Sequence, residues 1–145
     1  MKKILYAVVI ASMLGCSGTK TTSGNAAGPK GLFEVLTQQS TGGASIRFYE
    51  VLTDPKEISM LKGDPNLQGK ISDADMTRSN FIILNMGEKP SGGYSISVKE
   101  VRETPDAIIV KVKESEPEPG SMTTMAVTNP YAVVKINSKK KIEIE

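Results

Sequence analysis

Residues 89–113 read KPSGGYSISVKEVRETPDAIIVKVK, and their pattern decides the fold. Tyr94, Ile96 and Val98 alternate with Ser95, Ser97 and Lys99. A period of two gives a strand one dry and one wet face. Ile108, Val110 and Val112 repeat that alternation against Ile109, Lys111 and Lys113. The turn signal ETPD (103–106) lies between the two runs, so together they predict a hairpin. Ahead of them stand Gly92 and Gly93. Glycine adopts positive φ at little steric cost, which suits a turn feeding a strand. A backbone without Cβ atoms also admits close approach by another chain, with Tyr94 as an anchor.

The flanking sequence extends the β pattern. NFIILNM (80–86) is a continuous apolar run of strand length and reads as a strand buried on both faces. SEPEPGS (115–121) is no strand interior, because Pro117 and Pro119 donate no hydrogen bond. MTTMAVT (122–128) reads as a strand. Met122 and Met125 stand three apart, so on that strand they face opposite sides and one belongs to the core. Pro130 holds Asn129 extended and delivers Tyr131 into the strand YAVVKI (131–136). KKIEIE adds a last edge strand blunted by charge.

Towards the N-terminus, LFEVLTQQ and SIRFYEVL flank Thr41-Gly42-Gly43 and have the spacing of a hairpin. In DPKEISMLKG, Asp54 suits an N-cap, Pro55 the first helical position, Glu57 the capping-box partner and Gly63 the stop. Residues 64–79 read as loop. The expectation is a mostly β chain, an antiparallel β-sandwich or partly open barrel with one short helix.

Composition narrows the chemistry. The chain of 145 residues has 18 Lys plus Arg, 16 Asp plus Glu, no His and one Cys. The absent histidine removes the commonest general base and the commonest metal ligand. Ser-His and Cys-His catalytic arrangements are excluded. Asp73 and Asp75 lack the glycine and the bidentate glutamate of a calcium loop. No cofactor, metal or catalytic residue is expected, and the protein reads as a non-enzyme.

MKKILYAVVIASMLGC opens the chain with two lysines, an apolar run from Ile4 to Leu14, and Gly15 before Cys16. That order is a secretory signal, and the run is short for a permanent span. The Gly15-Cys16 junction resembles a bacterial lipobox, which implies acylation of Cys16 and removal of residues 1–15. Removing Lys2 and Lys3 leaves 16 basic against 16 acidic residues. Such a neutral chain offers nucleic acid no electrostatic reason to bind. Residues 16–31 are small and polar and read as a flexible tether. Residues 32–145 read as one β-rich domain held at an envelope membrane by lipid, facing periplasm or exterior.

The order KPSGGY, alternating hairpin, EPEPG loop, SMTTMAVT and TNPYAVVKI resembles the PrcB C-terminal domain family over residues 73–137. That family belongs to an accessory lipoprotein of a bacterial surface protease complex. The resemblance implies a protein-binding domain associated with an exported protease. The contact residues it suggests are Lys89, Pro90, Ser91, Gly92, Gly93, Tyr94, Pro130 and Tyr131. PSGGY is also similar to the Pro-Thr-Thr-Gly-Tyr loop of chagasin-like inhibitors of cysteine peptidases, which implies inhibition as the alternative. A structural envelope lipoprotein without a specific partner is the third reading.

Overall fold

The strand β3 (Asn80–Met86) organises the molecule. Its side chains alternate between two apolar clusters, as its unbroken run of apolar residues requires. Ile82, Leu84 and Met86 point into one cluster, and Phe81 into the other. The computed structural model describes residues 31–145. The expected signal peptide, Cys16, and all of the tether except Gly31 lie outside the described residues.

The remaining strands are β1 (Phe33–Gln39), β2 (Arg47–Leu52), β4 (Ser95–Glu103), β5 (Ala107–Ser115), β6 (Tyr131–Ile136) and β7 (Lys141–Ile144). They form a four-stranded sheet in the order β1-β6-β3-β2 and a three-stranded sheet in the order β4-β5-β7. All neighbours are antiparallel except the β5–β7 pair. The chain is thus mostly β, and its sheets stack without closing into a barrel. The predicted β4–β5 hairpin is present, closed by Thr104, whose N–H donates to the Ala107 carbonyl at 2.8 Å.

The first cluster lies between the sheets. Ile96, Val98 and Val101 of β4 and Ile108 and Val110 of β5 meet Ala132, Val134 and Ile136 of β6. Val101 follows Val98 by three residues, which breaks a strict alternation. A bulge between Val98 and Glu100 absorbs the extra residue and returns Val101 to the inner face.

Beneath the other face of the four-stranded sheet lies a third layer. It contains α1 (Pro55–Met60), two single turns of 3-10 helix (Leu61–Gly63 and Pro65–Leu67), and α2 (Asp73–Arg78). Ile58, Leu61, Leu67 and Ile71 pack there against Phe81, Val133, Leu36 and Leu52. The Asp54 side chain caps α1 by accepting from the Lys56 N–H, with Pro55 at the first position, as its sequence predicts.

Three local expectations are corrected. Residues 64–79 are not merely loop. Ser72 caps α2 through a capping box with Asp75, and Leu67 and Ile71 reach the core. β1 and β2 share a sheet but are not a hairpin, because β6 and β3 lie between them. Their connection crosses the ends of those strands, where the Gly43 N–H donates to the Asn129 carbonyl at 2.9 Å. Residues 122–128 form no strand, and only Thr128 makes a bridge, to Lys89.

The third layer generates a direct test. Leu67 is almost wholly enclosed. Leu67→Ala is expected to lower the unfolding free energy by about 2–4 kcal/mol, read from urea denaturation. A residue in a solvent-washed loop would change it by only about 0.5 kcal/mol or less.

Candidate functional site

Gly92 and Gly93 lie in the connection from β3 to β4, and a second segment of the same chain lies over them. This segment, residues 116–127, leaves β5 and returns as an irregular flap before β6. Thr124 within it and Thr128 just after it bond to residues 89–92. The Lys89 N–H donates to the Thr128 carbonyl at 2.8 Å, and the Thr128 N–H returns a bond to the Lys89 carbonyl at 3.0 Å. The Thr128 hydroxyl donates to the Ser91 carbonyl at 2.7 Å. The Gly92 N–H donates to the Thr124 carbonyl at 3.0 Å.

Gly93 is required by conformation and by space, whereas a Cβ on Gly92 meets only a movable side-chain hydroxyl. Gly93 has φ 89°, in the left-handed region. A Cβ there would stand 2.8 Å from the Pro117 Cβ and 3.3 Å from the Thr123 Cγ2. A Cβ on Gly92 would collide with the Thr124 hydroxyl. The chain that approaches this Cβ-free surface is therefore the protein's own flap. The positive φ of Gly93 bears out the turn reading, and the close approach seen at the two glycines comes from the same chain, not from a partner.

The other sequence-named residues divide. Tyr94 is half-buried against the inter-sheet cluster, and the Lys89 ammonium sits over its ring, 5.6 Å from the centroid. Pro90 is exposed beside them. Pro130 and Tyr131 are buried, and Tyr131 retains 7% exposure. The Tyr131 hydroxyl donates to Asp64 at 3.0 Å and accepts from Asn66 at 3.0 Å. Burial pushes its pKa up. Tyr131 thus fastens β6 to the third layer, the Pro130 carbonyl accepts from the Met86 N–H of β3 at 2.9 Å, and neither is presented with Lys89–Tyr94 as a common surface.

The flap supplies what sequence reasoning missed. Met122 is 102% exposed and Met125 is 97% exposed, so neither is the expected core residue. The rule placing residues three apart on opposite faces applies only to a paired strand, and this segment has no ladder. Its held points are Pro117, Thr123, Thr124 and Thr128, none of which has a distinctive sequence signature.

A polar clasp holds the flap's root. Glu114, near the end of β5, accepts from the Arg47 Nε at 2.7 Å and from the Tyr49 hydroxyl at 2.6 Å. Arg47 also donates to the Tyr49 hydroxyl at 2.8 Å and lies over its ring. The clasp joins β2 of one sheet to β5 of the other. Burial, then the bond to Glu114, push Tyr49 up to about 12. Burial raises Glu114 as its largest single effect, but the bonds from Tyr49 and Arg47 and the cationic charge nearby hold it below the usual carboxylate value. Among the described residues no cluster of acidic or thiol side chains suits a metal ion. Asp73 pairs with Lys62 at 2.6 Å, and Asp75 caps α2.

The clasp has a pH signature. A carboxylate depressed in the folded state adds stability above its unfolded pKa and loses it as pH falls through the folded value. Glu114→Gln is expected to cost about 0.5 kcal/mol at neutral pH, since Arg47 is solvent-screened. Wild type and variant should converge in acid below the ordinary carboxylate range. Denaturation curves across the acid range check both points.

No curated protein and no solved structure matches this chain. One family model does match. The likeness begins at the first residue of β3, so α2 falls outside it, and takes in the double glycine, the flap and all of β6. Residues 80–137 match the family described as PrcB C-terminal, the family that their motif order resembles.

Proposed function

We propose that this protein is a lipid-anchored envelope protein whose β domain, residues 32–145, binds another protein without catalysis and associates with an exported protease. The match of residues 80–137 to the PrcB C-terminal family is the observation that carries this reading. The matched segment contains the glycine loop, the flap and strands β3 to β6. Cys16 supplies the lipid, the secretory signal directs export, and the domain faces periplasm or exterior.

The inhibitor reading fits the site less well. An inhibitor of that kind inserts projecting loops into a cleft. Here Tyr131 is enclosed, and Gly92 and Gly93 are engaged by residues 117–124 of the same chain. An accessory subunit needs only a surface that binds beside the catalytic cleft.

The test uses the full chain, tagged at its C-terminus and expressed in its native host. After detergent extraction of the envelope, an exported protease should co-purify in fixed ratio, and its turnover should not fall when the protein is added back. Cys16→Ser should move the protein from the membrane to the soluble fraction. Loss of protease turnover on add-back would favour inhibition. Recovery of no specific protein would favour a purely structural lipoprotein.

A further inference from the structure

Six large apolar residues are exposed among those described, namely Val35, Ile46, Met60, Met122, Met125 and Val127. Four of them lie on segments bonded to residues 88–92: Ile46 follows Ser45, Val127 precedes Thr128, and Met122 and Met125 flank Thr124. Val127 is 58% exposed and Ile46 is 71% exposed. Ile46 reaches this end because the connection from β1 to β2 lies against residues 85–88, where the Glu88 N–H donates to the Ser45 carbonyl at 3.0 Å. Met122 and Met125 stand free of the surface on a flap whose backbone is fixed from below. Methionine at such a place is an adaptable apolar contact, and a fixed backbone lowers the ordering cost of binding.

The strand edges do not compete for this role. β1 and β4 are edge strands interrupted by bulges, between Val35 and Thr37 and between Val98 and Glu100. β7 is four residues long, with Lys141 and Glu143 exposed. β2 carries Arg47 and Glu50 exposed along its free edge. Bulges, shortness and charge each discourage addition of a foreign strand. Recognition is left to the loops.

Charge and position define the occupant. Glu116 and Glu118 are exposed at the flap's root, and neither belongs to an ion pair among the described residues. From Pro119 to Tyr131 the sequence has no charged residue. The flap therefore has an acidic root and a neutral, apolar tip. Residues 1–30 join the domain at Gly31, whose carbonyl accepts from Asn137. That is the opposite end of β1 from Gln39, which pairs with Tyr131 beside the flap. Seven strand residues separate the two ends by about 20 Å. The flap thus lies beside the end of β1 opposite Gly31, and its acidic root would be repelled by anionic lipid.

We infer that residues 116–127 are the docking element of this protein, latched by Gly92 and Gly93, and that its occupant is a groove on a partner protein. The groove has an apolar floor that receives Met122 and Met125 and a basic rim that faces Glu116 and Glu118. This deepens the reading above and rests on it for the partner being an exported protease.

The test places a photo-crosslinking amino acid at Met125, or at Met60 as a control, in the full chain within the native envelope. Met60 is 79% exposed beside a groove of about 190 Å³ near α1, on the far layer. The expected result is a crosslink from position 125 to a peptide of an exported protease that combines apolar residues with Lys or Arg, and none from position 60. Adding Glu116→Lys and Glu118→Lys should lower the yield about tenfold. Gly93→Ala, confirmed folded by its thermal transition, should lower it too by unlatching the flap. The same peptide signature on a protein that is not a protease would keep the docking element and remove the protease association. Crosslinks from position 60 alone would overturn the flap as docking element and leave the association standing. Crosslinks from position 125 only to lipid or to a second copy of this chain would overturn the inference. The absence of any crosslink, beside a protease that still co-purifies, would overturn the flap as docking element and leave the association standing.

Discussion

A methyl group on residue 93 would occupy the place where Pro117 meets the backbone, and one on residue 92 would turn aside the Thr124 hydroxyl. The flap end of the molecule is built around that vacancy of side chain. A flap of twelve residues with Pro117, Pro119 and Gly120 cannot pair into a sheet and has no core of its own. It is ordered by resting on a backbone that offers two amides, at Lys89 and Gly92, and two carbonyls, at Lys89 and Ser91. The Arg47–Glu114–Tyr49 clasp fixes the point where it departs. The Lys89–Thr128 bridge fixes the point where it returns.

That platform is firm because β3 and β6 beneath it are enclosed on both faces. The inter-sheet cluster takes Ile82, Leu84 and Met86 of β3, and the third layer takes Phe81. Tyr131 ties β6 to Asp64 and Asn66 in that third layer. Asn85, also buried, is satisfied by the β1–β2 connection, accepting from the Ala44 N–H at 3.1 Å and donating to the Ala44 carbonyl at 3.1 Å. The loops at this end therefore inherit the rigidity of the core strands, while the exposed methionines remain free to adapt.

Much of the fold is legible in the sequence because it is written in local periods. β4 and β5 follow from alternation, β6 from the strand run that opens after Asn129-Pro130, and β3 from an unbroken apolar run too short for a helix. The cap at Asp54-Pro55 marks α1. The Ser72–Asp75 spacing marks α2 in the same way. It passes for loop because α2 buries no residue and so has no apolar periodicity. The partners of β1 and β2 are not legible at all. A glycine pair between two strands signals a hairpin locally, whereas the actual neighbours are set by which faces the sheets must bury. The candidate site shows the same division. Gly92 and Gly93 stand out in the sequence, but what rests on them does not. Met122 and Met125 sit in a segment with strand-like composition, where the prolines just before them remove the ladder that such composition needs.

The central claim is that the double glycine is a latch for the flap, and amide hydrogen exchange tests it most directly. The Gly92 N–H is covered only if the flap stays down, through its bond to the Thr124 carbonyl. The account predicts slow exchange at Gly92, Lys89 and Thr128 and fast exchange at Met122 and Met125. Exchange at Gly92 as fast as at Met122 and Met125 would contradict it, and the two glycines would then be no more than a turn.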